Sequence, residues 1–223
     1  MWPFNVERYN SALLYIYNIL VLSLVNTYIW RCPTKENMLA LYKQRAGRRH
    51  CDIGIGTGYY LDHLDYADDA SVDLIDIETT PLSSTQNLLR RRNPRLPIHT
   101  HVRDILSDEK LPGDVSYDSV GLTYLWHCLP GPASRKARIF SKIEEVVSPG
   151  GVVFGATVLG RGPWHGWSAS CLVRVLNWIG QFDNMNDTKD TVQKGLEENF
   201  RDVKTWIVGS VLLFEATKST NNK

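Results

Sequence analysis

This sequence predicts an α/β fold built on a mostly parallel sheet that finishes in an antiparallel pair. Three observations carry that prediction. Short apolar runs alternate with amphipathic stretches from residue 50 onward, a glycine-rich turn follows the first run, and two strand-like runs near the C-terminus are separated only by Gly209 and Ser210. The alternation calls for parallel strands joined by crossover helices, and a two-residue connection has room only for a hairpin. The chain has 223 residues, 43% hydrophobic and 22% charged, which suits one packed domain with a modest appendage and excludes a disordered chain. Its formal net charge is +1, so no whole-molecule field draws it to nucleic acid or an anionic membrane, and neither is expected as a partner.

The elements follow in order. Ser11 to Trp30 is nearly long and apolar enough to cross a bilayer. Asn18, Ser23, Asn26 and Thr27 interrupt it, only Arg8 is basic ahead of it, and no small-residue cleavage site follows, so neither a membrane span nor a signal peptide is expected. An aromatic-rich helix packed over the protein body fits better. With the short helical pattern at 36–44 it makes residues 1–44 an N-terminal helical cap, expected to roof the active site. Strand-like runs occupy 50–54, 72–76, 98–102, 117–123, 151–157, 203–208 and 211–217, with helical patterns at Thr85 to Arg92 and Ser134 to Val147. Residues 45–217 form the main domain, and 218–223 are expected to be a frayed tail.

Cys32, Cys51, Cys128 and Cys171 are scattered, with no C-x-x-C pair, which points to reduced thiols in a cytoplasmic protein. His99 and His101 lack further ligands at zinc spacing, so no metal is expected.

The most informative stretch is Asp52-Ile-Gly54-Ile-Gly56-Thr-Gly58, directly after the first strand. Glycines at a strand-to-helix turn permit positive φ and let the backbone approach a ligand closely. A dinucleotide fingerprint would need glycine at position 59, where Tyr59 stands, and the lysine of a Walker loop is absent. The acidic-x-G-x-G-x-G spacing instead resembles motif I of class I S-adenosylmethionine-dependent methyltransferases. Asp76, closing the second strand, matches the family's ribose-binding acid, and a carboxylate suits two vicinal hydroxyls. Arg103-Asp104-Ile105 looks like the adenine site, with Asp104 meeting the exocyclic amine and Ile105 covering the ring. Pro149-Gly150-Gly151 and the terminal hairpin match the family's turn and reversed last strand. The likeness spans about residues 45 to 217 and implies a Rossmann-like seven-stranded sheet with helices on both faces. It implies S-adenosyl-L-methionine as cofactor, held by Asp52, Gly54, Gly56, Gly58, Asp76, Asp104 and Ile105. YIWRCPT, LTYLWHCLPG and SPGGVVFGATVLG are similar to small bacterial and fungal methyltransferases of secondary metabolism.

Methyl transfer from a sulfonium is an in-line displacement that gains chiefly from holding donor and acceptor in place. A base near the acceptor proton helps. His127 after the fourth strand is the first choice for it, against a purely structural role, and His165 after the fifth is the second. Tyr17, Trp30, Tyr124, Trp126 and Trp164 are expected to bind an apolar, planar small molecule, against the simpler role of core and lid packing. The family's N/D-P-P-Y/F motif for amino acceptors is absent, with Thr123-Tyr124-Leu125-Trp126 in its place. O-methylation of an aromatic or polyketide-like metabolite is therefore expected. The alternative is a cofactor-binding fold that acts as a cyclase, pericyclase or decarboxylase. The sequence leaves oligomeric state open.

Overall fold

The computed structural model describes residues 18–112, 116–163 and 165–220, with side chains from residue 22 onward. Its centre is a seven-stranded sheet of order β3-β2-β1-β4-β5-β7-β6. The strands are β1 (Arg49–Ile53), β2 (Ser71–Asp76), β3 (Ile98–Val102), β4 (Tyr117–Thr123), β5 (Val147–Val158), β6 (Arg201–Val208) and β7 (Val211–Thr217). β1 to β5 pair in parallel and β7 runs antiparallel to both neighbours. This is the Rossmann-like arrangement the sequence implied.

Alternation along the central strands divides the core between the two faces, because successive side chains point to opposite sides. Cys51, Val153, Leu212 and Phe214 face one side with Ile139, Phe140 and Ile143 of α4 (Ala133–Val146) and with Val192 and Leu196 of α6 (Lys189–Glu197). Phe154, Ala156 and Leu213 face the other. There they meet Leu41 and Tyr42 of α1 (Ala40–Arg45), Leu61 of α2 (Tyr59–Asp62), Leu82 and Leu89 of α3 (Thr79–Arg92), and Ala169 and Val173 of α5 (Trp167–Trp178).

Several bounds differ from the sequence reading. α3 begins at Thr79 rather than Thr85 because Pro81 sits in the first turn, where a missing N–H costs nothing. β5 starts at Val147, earlier than expected, because Tyr117 of β4 pairs with it across a register shift. α5 and α6 were not picked out in the sequence, although Thr188 and Thr191 form a reciprocal cap that starts α6. Lys218, assigned to the frayed tail, is held instead: its amide donates to the Gly151 carbonyl at 2.9 Å and its ammonium to the Glu144 carbonyl at 2.6 Å. Residues 221–223 lie outside the described residues.

The N-terminal helix (Asn18–Ile29) is wide-turned, closing with the Trp30 amide on the Val25 carbonyl five residues back. It is anchored at the β6–β7 turn, where the Ser210 amide donates to the Trp30 carbonyl at 2.8 Å. A Cβ at Gly209, whose φ is +59°, would strike that same carbonyl, so only glycine fits there. Among the described residues no helix is long and apolar enough to cross a membrane.

Candidate functional site

The strand order reverses between β1 and β4, and in open α/β sheets the crevice at such a switch point, beyond the carboxyl ends of the strands, receives the ligand. The glycine loop leaves β1 there. Gly54, Gly56 and Gly58 all hold positive φ, at +70°, +55° and +71°. A Cβ on Gly58 would lie 2.6 Å from Cγ2 of the fully buried Thr85, so that glycine packs the loop against α3. A Cβ on Gly56 would meet nothing within 4 Å. The loop tip therefore faces open space, as close approach of its backbone to a nucleoside ligand requires.

Asp52 lies below the loop. It is buried, and the Tyr42 hydroxyl stands 3.2 and 3.1 Å from its two carboxylate oxygens, with His50 Nε2 at 3.9 Å. Asp76 lies at the adjacent strand end, accepting the Glu78 amide at 3.0 Å. Burial raises its pKa above the ordinary carboxylate value, and backbone amides of Glu78 and Ile77 counter part of the rise. A half-buried carboxylate with spare acceptor capacity suits a ribose diol. Asp104, beyond β3, is exposed and takes the Leu106 amide at 2.8 Å.

Ile105 departs from expectation. Its side chain packs in the α4 core, so it offers an adenine ring little more than an edge. Trp126, expected to touch substrate, is 0% exposed and stacks on Phe140 with centroids 5.3 Å apart. The 3₁₀ turn Trp126–Cys128 swings it to the face opposite the cap. Trp30 is likewise buried, 6.4 Å from Phe182, and serves as packing rather than as a substrate contact. Tyr17 and Trp164 lie outside the described residues.

His127 does not suit the role of base. It is 3% exposed, and its Nδ1 accepts the Val158 amide at 3.2 Å with the Thr157 hydroxyl at 3.1 Å. Accepting that amide places the proton on Nε2, which leaves no lone pair there to take another. Burial, and after it the Lys136 charge, lower its pKa to about 3. His127 is a structural residue in the wall, 4.1 Å from the Phe182 ring. His165 is half-buried with Nδ1 2.8 Å from Ser210 Oγ, and burial lowers its pKa as well.

Tyr124 stands at the carboxyl end of β4. It holds φ +63°, unusual for a tyrosine, and its amide donates to Ala156 at 2.7 Å. Its hydroxyl donates to Oδ1 of Asn26 in the N-terminal helix at 3.0 Å. The next residue, Leu125, would be 2.8 Å from a Cβ on Gly54, so Tyr124 and the glycine loop share one rim. Asn26 and Tyr42 were missed by sequence reasoning. A polar amide inside an otherwise apolar run was the available signal for Asn26.

A glycine loop facing open space, an acid at the end of β2 and a reversed last strand define a class I S-adenosylmethionine-dependent methyltransferase. A family model described as a methyltransferase domain matches residues 51–151. The O-methyltransferase adaD of Aspergillus niger is 36% identical over 95% of this chain and 87% of that protein. The physcion biosynthesis cluster O-methyltransferase of Aspergillus chevalieri is 35% identical over 96% of this chain and 95% of its own length. The N-methyltransferase NodS of Bradyrhizobium japonicum, solved with S-adenosyl-L-homocysteine, shares the fold with a TM-score of 0.56 at 14% identity, over 83% of this chain and 87% of that one. The chain belongs to the class I S-adenosylmethionine-dependent methyltransferase family.

Proposed function

We propose that this enzyme transfers the methyl group of S-adenosylmethionine to an oxygen of a small phenolic, polyketide-like metabolite. The observation that carries the reading is the loop and carboxylate at the switch point, facing a rim built from Tyr124 and the N-terminal helix. Relatives named as O-methyltransferases across nearly the whole length support oxygen as the acceptor, and the non-methylating alternative finds no such support.

Gly54, Gly56 and Gly58 would carry the backbone to the cofactor, Asp76 its ribose, and Asp104 its adenine edge. Asp52 acts through Tyr42 to hold the end of β1 beneath the loop. When bound, the cofactor supplies an electrophilic methyl carbon with a neutral thioether as leaving group. The protein's part is to bring the acceptor into line and exclude water, which can lower the barrier by several kcal/mol. His165 remains the residue proposed to take the acceptor proton, through its Nε2, which has no hydrogen-bond partner among the described residues, while Nδ1 is held by Ser210 Oγ. The four thiols are unpaired, which supports a cytoplasmic location.

Incubating the enzyme with deuteromethyl-labelled cofactor and a panel of phenols, naphthols, anthraquinones and arylamines tests this reading by mass spectrometry. Labelled methyl ethers of the phenolic members are expected. Conversion of a substrate without added label, or labelling confined to the amines, refutes it.

A further inference from the structure

Among the described residues, the N-terminal helix touches the rim through a buried polar group. Asn26 is 0% exposed, and its side chain is satisfied at both ends: Oδ1 accepts the Tyr124 hydroxyl at 3.0 Å and Nδ2 donates to Thr34 Oγ1 at 2.8 Å. The Thr34 hydroxyl donates to the Leu22 carbonyl, one turn earlier in the same helix. The Cys32 amide donates to the Asn26 carbonyl at 2.7 Å, closing the chain reversal that follows the helix. An apolar residue at this position would suit the surrounding core without any network, because a buried amide contributes only when fully bonded.

Tyr124 supplies the other half. A non-glycine residue at φ +63° is held there only when its surroundings fix it. Here its amide is fixed by Ala156 and its hydroxyl by Asn26. Its neighbour Leu125 packs against Gly54 of the glycine loop, so the turn that holds Tyr124 adjoins that loop.

We propose that Asn26 is a positioning residue, latching the N-terminal helix to Tyr124 so that the acceptor-side wall of the transfer site is set only when the helix is seated. The inference rests on the methyl-transfer reading above. It assigns the polar interruption of the apolar helix a role in turnover, acting through Tyr124.

Asn26→Leu, Tyr124→Phe and the double variant test it, with kcat, acceptor KM and calorimetric affinity for S-adenosylhomocysteine measured on each. Each single variant should lose about tenfold to a hundredfold in kcat, the scale of a small misplacement of the acceptor. Cofactor affinity should stay within about twofold, since neither side chain belongs to the glycine loop or the β2 acid. The double variant should be no slower than the worse single one, because both changes cut the same bond. Fully additive losses, or an unchanged kcat in Tyr124→Phe, overturn the proposal. Should Asn26→Leu fail to fold, Tyr124→Phe decides alone, as it removes one hydroxyl from a half-buried ring. Amide exchange across residues 22–34 gives a readout independent of substrate: loss of the bond should speed it about fivefold, with β4 and β5 unchanged. If wild-type enzyme neither binds S-adenosylhomocysteine nor methylates any phenol, the methyl-transfer reading has failed. The latch is then judged on exchange, where unchanged rates in Tyr124→Phe overturn it.

Discussion

Two glycines of one loop are expected to answer the same substitution differently. At Gly58→Ala the new methyl enters a left-handed backbone position at φ +71° and lies 2.6 Å from Thr85 Cγ2 and 2.7 Å from its Oγ1. The backbone penalty is about 1–2 kcal/mol, and overpacking against a fully buried side chain adds about 1–3 kcal/mol. Loss of glycine freedom in the unfolded chain returns about 0.4–1 kcal/mol. The net destabilisation is thus about 1–5 kcal/mol. At Gly56→Ala the same backbone and entropy terms apply, but no atom lies within 4 Å of the methyl, so the net cost is only about 1 kcal/mol. The lost quantity there is ligand affinity, because the methyl projects into the space that the loop backbone offers the cofactor. Urea unfolding measures the first effect and calorimetric titration with S-adenosylhomocysteine the second. Thr85→Ala should recover most of the loss in Gly58→Ala, as expected for two groups in direct contact. Unfolding of Gly56→Ala as readily as Gly58→Ala, or wild-type affinity of Gly56→Ala for S-adenosylhomocysteine, would rule out these separate roles.

Other perturbations separate site from scaffold. Asp76→Ala should weaken cofactor binding by about 1.5–3 kcal/mol, the scale for hydrogen bonds to a charged group, with little change in the unfolding midpoint; calorimetry and urea melts on one preparation check both. His127 binds fewer protons folded than unfolded, since its pKa falls from 6.5 to about 3. Its contribution is therefore complete above pH 6.5 and declines by at most about 1.4 kcal/mol per pH unit as the pH falls toward 3; urea melts of wild type and His127→Asn at pH 7 and pH 5 should show the wild type losing more. Lys136 and Asp187 pair at 2.7 Å with both side chains buried, so Lys136→Met should cost about 3–5 kcal/mol, and adding Asp187→Leu should restore much of it. His165→Ala should lower kcat by about 10²-fold or more with cofactor affinity retained, if the imidazole takes the acceptor proton; steady-state kinetics on an accepted phenol decides.

What the sequence disclosed follows from how locally each feature is determined. The glycine loop was legible because positive φ at three alternate positions is a demand of the backbone itself. The place of Asp76 at the end of β2 was legible because the end of a parallel strand is set by its apolar run. The hairpin was legible because Gly209 and Ser210 leave no room for another connection. Side-chain direction after β4 was not. Tyr124, Trp126 and His127 are near neighbours in sequence, yet the left-handed turn at Tyr124 and the 3₁₀ turn after it send Tyr124 toward the N-terminal helix and Trp126 into the opposite core. The role of His127 depended on the Val158 amide, 31 residues away in the chain. Asn26 gains its meaning from Tyr124, at a separation of 98 residues, and such long-range pairs leave only a weak trace in a single sequence.

In each turnover one methyl group is expected to pass from the cofactor to a substrate oxygen. With carbon-13 methyl-labelled S-adenosylmethionine and an accepted phenol, S-adenosylhomocysteine and labelled product can be quantified together by nuclear magnetic resonance and chromatography. Equal molar amounts of the two are expected, with the label in a methyl ether. Product formed without S-adenosylhomocysteine, or label carried on carbon or nitrogen, would contradict that expectation.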